Sequence, residues 1–128
     1  MTSAKTEKTA FVFAGGGSLG AIQVGMLHTL LQSGLRPDFL VGSSVGAINA
    51  AYFAGAPDLT GVSRLADVWL KLRRADIFPA PLAGALKLLF HSESLVDPRR
   101  LRRLLEDNLA FTRLEEARIP LHVIATDQ

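Results

Sequence analysis

Ser44 has the sequence surroundings most typical of a chemical role. It stands in a Gly-x-Ser-x-Gly pattern, residues 42–46, directly after the short apolar run 39–41 and directly before a series of helix-forming residues. That order predicts a strand, a tight turn and a helix, the arrangement in which a serine hydroxyl is exposed as a nucleophile. Gly42 and Gly46 are expected on either side because the turn leaves no room for side chains. The positive end of the helix would stabilise negative charge beside Ser44.

A second glycine-rich segment, residues 15–20, follows an apolar run of strand length at residues 10–14. Residues 21–33 after it have helical spacing. The carboxyl ends of neighbouring parallel strands meet at one edge of a sheet, so we expect this segment to face Ser44. We interpret it as a set of backbone N–H groups that stabilises an oxyanion, closed by the structural glycine Gly20. The expected donors lie around four residues: Gly15, Gly16, Gly17 and Ser18.

The same segment also fits Gly-x-Gly-x-x-Gly, which makes a dinucleotide-binding module the sharpest alternative. That interpretation requires an acidic residue near the end of the second strand to bind a ribose. Here the strand leads into Ser44, and the nearby acid, Asp38, precedes it. The oxyanion interpretation is therefore favoured, and a non-catalytic binding domain is a third hypothesis.

A serine nucleophile needs a general base, and the sequence offers three histidines. His28 falls on the first predicted helix, His91 in a segment without a clear pattern, and His122 inside a predicted strand. Only 27 residues separate Gly17 from Ser44 (44 − 17), closer than the two elements stand in a Ser-His-Asp hydrolase of the α/β type. We therefore do not expect a histidine to activate the serine.

The hydrophobic spacing predicts a βαβ unit followed by further helices and a third parallel strand. The helix over 21–33 is expected to bury one side and to stop at Gly34, and the helix after Ser44 to run to about residue 54. A third helix would be capped by Asp58 or Thr60, and a later one by Asp97 with Pro98 at its first position. The last strand is expected at 120–126. The side chains expected on the buried side of the first helix are Ile22, Met26, Leu27, Leu30 and Leu31.

The composition narrows the function classes. The chain has 128 residues, of which 48% are hydrophobic, a net charge of +2 and no cysteine. Disulfides, thiolate metal sites and cysteine nucleophiles are therefore excluded, and the charge favours no nucleic-acid partner. Residues 1–9 are polar and resemble a flexible leader rather than a signal peptide, and we expect residues 10–128 to form one domain in the cytoplasm.

The two glycine motifs together resemble the N-terminal portion of a patatin-like phospholipase of bacterial type. The resemblance rests on residues 15–21 and 41–50, and weaker agreement at 94–105 and 119–127 extends it over most of the chain. It implies a three-layer α/β/α sandwich with a mainly parallel sheet. It also implies hydrolysis of lipid acyl esters by a Ser-Asp dyad, without cofactor or metal, with Ser44 as the nucleophile and residues 15–18 as the oxyanion hole.

Two departures from the family pattern bear on that expectation. Many members carry Arg or Lys where this chain has Leu19. The family's dyad aspartate stands in an Asp-Gly-Gly or Asp-Gly-Ala motif, and these 128 residues contain neither. Asp127 matches a Thr-Asp pair that precedes the motif in relatives, so it is not expected to be the base. We therefore expect a truncated domain, and activity of the full-length protein.

Two surface segments raise the question of membrane contact. The apolar stretch 82–90 could touch a lipid surface, although a packed helix is the commoner meaning of such a stretch. A basic helix face, formed by Arg99, Arg100, Arg102 and Arg103, is expected to be solvated rather than bound to anionic lipid. A lipid ester is the expected substrate, with transient contact at a membrane surface. The pattern leaves open the head group, acyl chain length, oligomeric state and whether acyl transfer replaces hydrolysis.

Overall fold

The computed structural model of the chain describes residues 7–72 and 98–125. Three strands form one parallel sheet in the order β1-β2-β3. They are β1 (Ala10–Phe13), β2 (Phe39–Ser43) and β3 (Leu121–Ile124). The described helices are α1 (Gly20–Gln32), α2 (Val45–Gly55), α3 (Leu59–Lys71) and α4 (Pro98–Asn108), with 3-10 turns at Gly17–Leu19 and Leu114–Glu116. The α/β class and the parallel pairing predicted from the sequence are confirmed.

The core lies between one face of the sheet and the first three helices. Phe11 and Phe13 of β1 and Leu40 of β2 point into it, whereas Val12, which points to the other face, is 72% exposed. Of the three layers expected, the described residues supply the sheet and the helical layer that covers these side chains. The helices contribute Val24, Leu27, Leu31, Ala50, Phe53, Ala54, Val62 and Leu65.

The prediction for the buried side of α1 is wrong at two positions. Ile22 and Met26 are each 60% exposed, while Leu27 and Leu31 are buried as expected and Leu30 is half-buried. α1 is apolar on more than one side, so its sequence alone does not select the buried row. The structure selects the row that begins at Gly20, where the missing side chain lets Trp69 of α3 and Val45 of α2 approach closely. That row consists of Gly20, Val24, Leu27 and Leu31.

Asp58, rather than Thr60, caps α3. Its side-chain Oδ1 accepts a hydrogen bond from the backbone N–H of Gly61 at 2.7 Å, and Thr60 lies exposed inside the first turn. This bond satisfies one of the N–H groups that a helix leaves unpaired at its start. The cap predicted at Asp97 and the apolar stretch 82–90 lie outside the described residues.

Tyr52 joins α2 to α4. Its hydroxyl donates a hydrogen bond of 3.4 Å to the carbonyl oxygen of Leu104. Burial of the phenol, with a smaller contribution from the charge of Asp107, raises the pKa of Tyr52 to about 12. α4 presents half-buried leucines on one side and its four arginines to solvent, as the sequence predicts.

Candidate active site

Ser44 forms the turn between β2 and α2. Its backbone has φ 51° and ψ −129°, and it is the one non-glycine residue of the described ranges with a positive φ. Such a conformation costs about 1–3 kcal/mol for a residue with a side chain, so surrounding contacts must maintain it. The residue is exposed to solvent, so the sharp turn presents its hydroxyl at the carboxyl edge of the sheet.

The glycines on either side make this turn possible by close backbone contact. A Cβ placed on Gly42 would lie 2.6 Å from the Cα of Ala47, in the first turn of α2. A Cβ on Gly46 would overlap the carbonyl oxygen of Phe13 and lie 2.5 Å from that of Ala14. Gly46 therefore lets α2 lie directly over the end of β1, where the glycine-rich segment begins.

The glycine loop, residues 15–20, lies beside the serine as predicted. A Cβ placed on Gly15 would be 3.3 Å from the Cβ of Ser44, whereas Gly16 and Gly17 turn the chain with φ 152° and 58°. The N–H groups of Leu19 and Gly20 bond within the loop. None of the turn and loop backbone bonds in the described ranges uses the N–H groups of residues 15–18.

The start of α2 adds electrostatic stabilisation at the same place. The N–H of Ala47 donates to the carbonyl of Ser44 at 2.9 Å, which closes the first turn. The helix therefore begins immediately after the serine, and its positive end lies beside the hydroxyl. Together with the glycine loop, this edge can stabilise negative charge on an oxygen that lies beside Ser44.

The described histidines and Asp38 lie elsewhere. The ring of His122 packs edge-on against Phe39, with 5.9 Å between centroids. His28 is eight residues along α1 from Gly20, about 12 Å by helix rise. Asp38 accepts a hydrogen bond from the N–H of Thr9 at the opposite end of β2, roughly 20 Å along the strand from Ser44. Asp38 is therefore not placed to bind a ribose at the glycine loop.

Hydrogen bonds among three residues that no sequence motif marks connect the elements around the site. Asn49 of α2 is fully buried, and its Nδ2 donates to the Gly20 carbonyl and to Gln23 Oε1, both at 2.9 Å. Its Oδ1 accepts a bond of 2.9 Å from Trp69 Nε1, and Gln23 Nε2 donates to the Ala14 carbonyl at 2.6 Å. The available signal was Asn49 itself, an amide in the otherwise apolar series 47–54.

The described ranges contain no group of three His, Asp or Glu side chains placed to bind a metal ion. They also contain no buried side-chain nitrogen or oxygen without a hydrogen-bond partner. His91 and Asp127 lie outside these ranges. None of the helices between residues 7 and 72 or between 98 and 125 has the length and apolar character needed to cross a membrane.

Fold and site together define a parallel α/β protein with an exposed serine at a strand–helix turn, beside a glycine-rich loop. Comparison with known proteins makes this more specific, because the family model of patatin-like phospholipases matches residues 11–127. The chain belongs to the patatin-like phospholipase family, a family of lipid hydrolases.

Curated relatives agree with this assignment. The chain is similar to the neuropathy target esterase sws of Drosophila melanogaster and to that of Drosophila grimshawi, at 27% identity over 116 residues in each case. The match covers 91% of this chain and 8% of each relative. This chain therefore spans a small part of the length of these relatives. No solved structure matches it.

Proposed function

We propose that this chain supplies the nucleophile and the oxyanion hole of a serine hydrolase that acts on acyl esters of lipids. The observation that carries the proposal is the close approach of Gly15 to Ser44 at a turn of positive φ. A strained, exposed serine next to backbone N–H groups matches the requirements of acyl transfer. Family membership and the esterase names of the relatives point to the same reaction class.

The proposed reaction has two steps. Ser44 Oγ attacks the ester carbonyl carbon while its proton passes to the aspartate of a Ser-Asp dyad, and the carbonyl oxygen becomes an oxyanion. The N–H groups of residues 15–18 and the start of α2 stabilise that oxyanion. Its collapse breaks the bond to the alcohol oxygen, which takes the proton from the aspartic acid and departs as the alcohol, and an acyl-serine remains. Water then hydrolyses the acyl-serine, which releases a fatty acid and restores Ser44. The aspartate belongs to the Asp-Gly-Gly or Asp-Gly-Ala motif that the 128 residues lack.

Exposed apolar side chains near the glycine loop support a lipid substrate. Leu19, within the loop, and Ile22 and Met26, on the following helix, are 63%, 60% and 60% exposed. Leu19 belongs to the loop beside Ser44, and Ile22 and Met26 lie on the first two turns of the helix that follows it. An apolar substrate or a membrane surface would remove these side chains from water, which is favourable at about 25 cal/mol for each Å² buried.

A fluorophosphonate probe, which forms a covalent bond with activated serines, tests the proposal on the full-length protein. Ser44→Ala is expected to abolish labelling, and the neighbouring Ser43→Ala to retain most of it. Equal labelling of the two variants would refute the role of Ser44. Saturable binding of NAD or NADP that survives Ser44→Ala and is lost in Gly17→Val would instead support the dinucleotide hypothesis.

A further inference from the structure

We propose that Gln23 and Asn49 are positioning residues that orient the glycine loop for the oxyanion, a role that rests on the proposed function. Neither residue is in the Gly-x-Ser-x-Gly pattern or among the loop donors. Their hydrogen bonds instead reach the two ends of the loop. Gln23 contacts the carbonyl of Ala14, directly before the loop, and Asn49 contacts the carbonyl of Gly20, its last residue.

The direction of these hydrogen bonds follows from the chemistry of Trp69. An indole N–H can only donate, so the Asn49 oxygen must face Trp69 and the Asn49 nitrogen must face Gly20 and Gln23. The Gln23 oxygen is then the acceptor from Asn49, which leaves the Gln23 nitrogen to donate to the Ala14 carbonyl. The hydrogen bonds therefore all run in one direction, from Trp69 through Asn49 and Gln23 to Ala14.

This orientation bears on the proposed oxyanion hole through the peptide between Ala14 and Gly15. The described peptide bonds are all trans, so the N–H of Gly15 points away from the carbonyl that Gln23 holds. Gly15 is also the loop glycine at which an added Cβ would lie 3.3 Å from the Cβ of Ser44. If Gln23 fixes this peptide plane, the N–H of Gly15 stays directed at the oxyanion. Without that hydrogen bond the plane could rotate, and the N–H would no longer point there.

The same connection joins the loop to the serine. Asn49 lies on α2, five residues after Ser44. The same helix therefore positions the serine at its start and positions the loop through the buried side chain of Asn49. Asn49 is fully buried, and a substitution there would leave the Trp69 N–H without its acceptor and the Gln23 oxygen without its donor, which destabilises the fold as well as the site. Gln23 is only half-buried, so it is the better residue for a test.

The test compares Gln23→Met, which removes both bonds, and Gln23→Glu, whose carboxylate can still accept from Asn49 but cannot donate to Ala14. The matched control is Gln32→Met, the same change at an exposed position at the end of α1. In the full-length protein, we expect both Gln23 variants to lower kcat roughly 10- to 100-fold, because loss of an oxyanion donor slows acyl transfer by about 100- to 1,000-fold. KM should change less than about twofold.

A transition-state readout separates positioning from packing. A trifluoromethyl ketone lipid analogue forms a serine adduct with an oxyanion, and its affinity should fall in proportion to kcat in both variants. An ether analogue, which cannot form the adduct, should bind to both variants with the same affinity as to the wild type. Thermal unfolding verifies that each variant is folded. If Gln23→Met does not fold, Gln23→Glu alone carries the test.

Three outcomes would overturn the proposal. Gln23→Glu could be as active as the wild type, which would mean that side-chain shape alone matters. Both variants could retain the kcat of Gln32→Met. Their loss could also be confined to KM and to binding of the ether analogue. If Ser44→Ala remains active in the same assay, the proposed function itself fails, which is distinct from a failure at Gln23 alone.

Discussion

The backbone of Gly15 lies against the side chain of Ser44: a Cβ on the glycine would be 3.3 Å from the Cβ of the serine and 3.8 Å from the Oγ of Ser43. Twenty-nine positions (44 − 15) separate the two residues in sequence. β1 and β2 bring them together, because Phe13 is paired with Gly42 and each strand ends at the same edge. At this distance a methyl group on residue 15 requires the loop or the serine to yield by a few tenths of an ångström.

Gly15→Ala is expected to lower the rate of fluorophosphonate labelling about tenfold, because a small shift of the loop away from Ser44 would also displace the N–H groups that stabilise the oxyanion. The backbone of Gly15 is not in the left-handed region, so alanine introduces only the contact. Gly25→Ala is the control, since nothing lies within 4 Å of a Cβ at that exposed position of α1. That variant should label normally and be more stable by about 1 kcal/mol. Equal labelling rates for the two variants would contradict the close contact.

Ser44→Gly should be more stable than Ser44→Ala by about 1 kcal/mol, although neither should react with the probe. Glycine accepts φ 51° and ψ −129° without a Cβ clash, whereas alanine retains the strain of the native serine. Equilibrium denaturation by urea measures both variants under the same conditions. A free energy of unfolding that is equal in the two would show that the turn is not strained.

Asp58→Ala should reduce the free energy of unfolding by about 1 kcal/mol, because the N–H of Gly61 loses its side-chain acceptor. Thr60→Ala is the informative comparison, since sequence alone does not decide which of the two residues caps α3. Its effect should stay within about 0.5 kcal/mol. Chemical denaturation gives both values, and a larger loss in Thr60→Ala would reverse the assignment of the cap.

Tyr52 should ionise near pH 12 in the folded protein and near pH 10 in denaturant. The folded state favours the neutral phenol, so its contribution to stability is complete below pH 10 and is lost as the pH rises towards 12. Tyr52 is the only tyrosine of these 128 residues, and the ultraviolet difference spectrum between wild type and Tyr52→Phe isolates its titration. Tyr52→Phe should show a shallower fall in melting temperature over that range. A midpoint near 10 in the folded protein would refute burial of the hydroxyl against α4.

The local elements could be predicted because each has its own signal in the chain. Strand-length apolar runs gave β1 and β2, and their parallel pairing follows from the helix between them. The side of α1 that is buried could not be predicted in the same way. Ile22 and Met26 are as apolar as Val24 and Leu27, and only contact with Trp69 and Val45 at Gly20 decides which row turns inward.

The sequence by itself determined the residue types of the candidate site: Ser44 between two glycines after a strand, and the glycine loop after another. Short-range sterics account for Gly42, because a Cβ there would collide with the first turn of the helix that follows at once, whereas Gly46 is required by its contact with the end of β1. Tertiary structure alone decided the approach of Gly15 to Ser44 and the hydrogen bonds from Asn49 and Gln23 to the loop. Those depend on the packing of α1, α2 and α3 around a shared core, and distances between helices are not encoded in the spacing of any one segment.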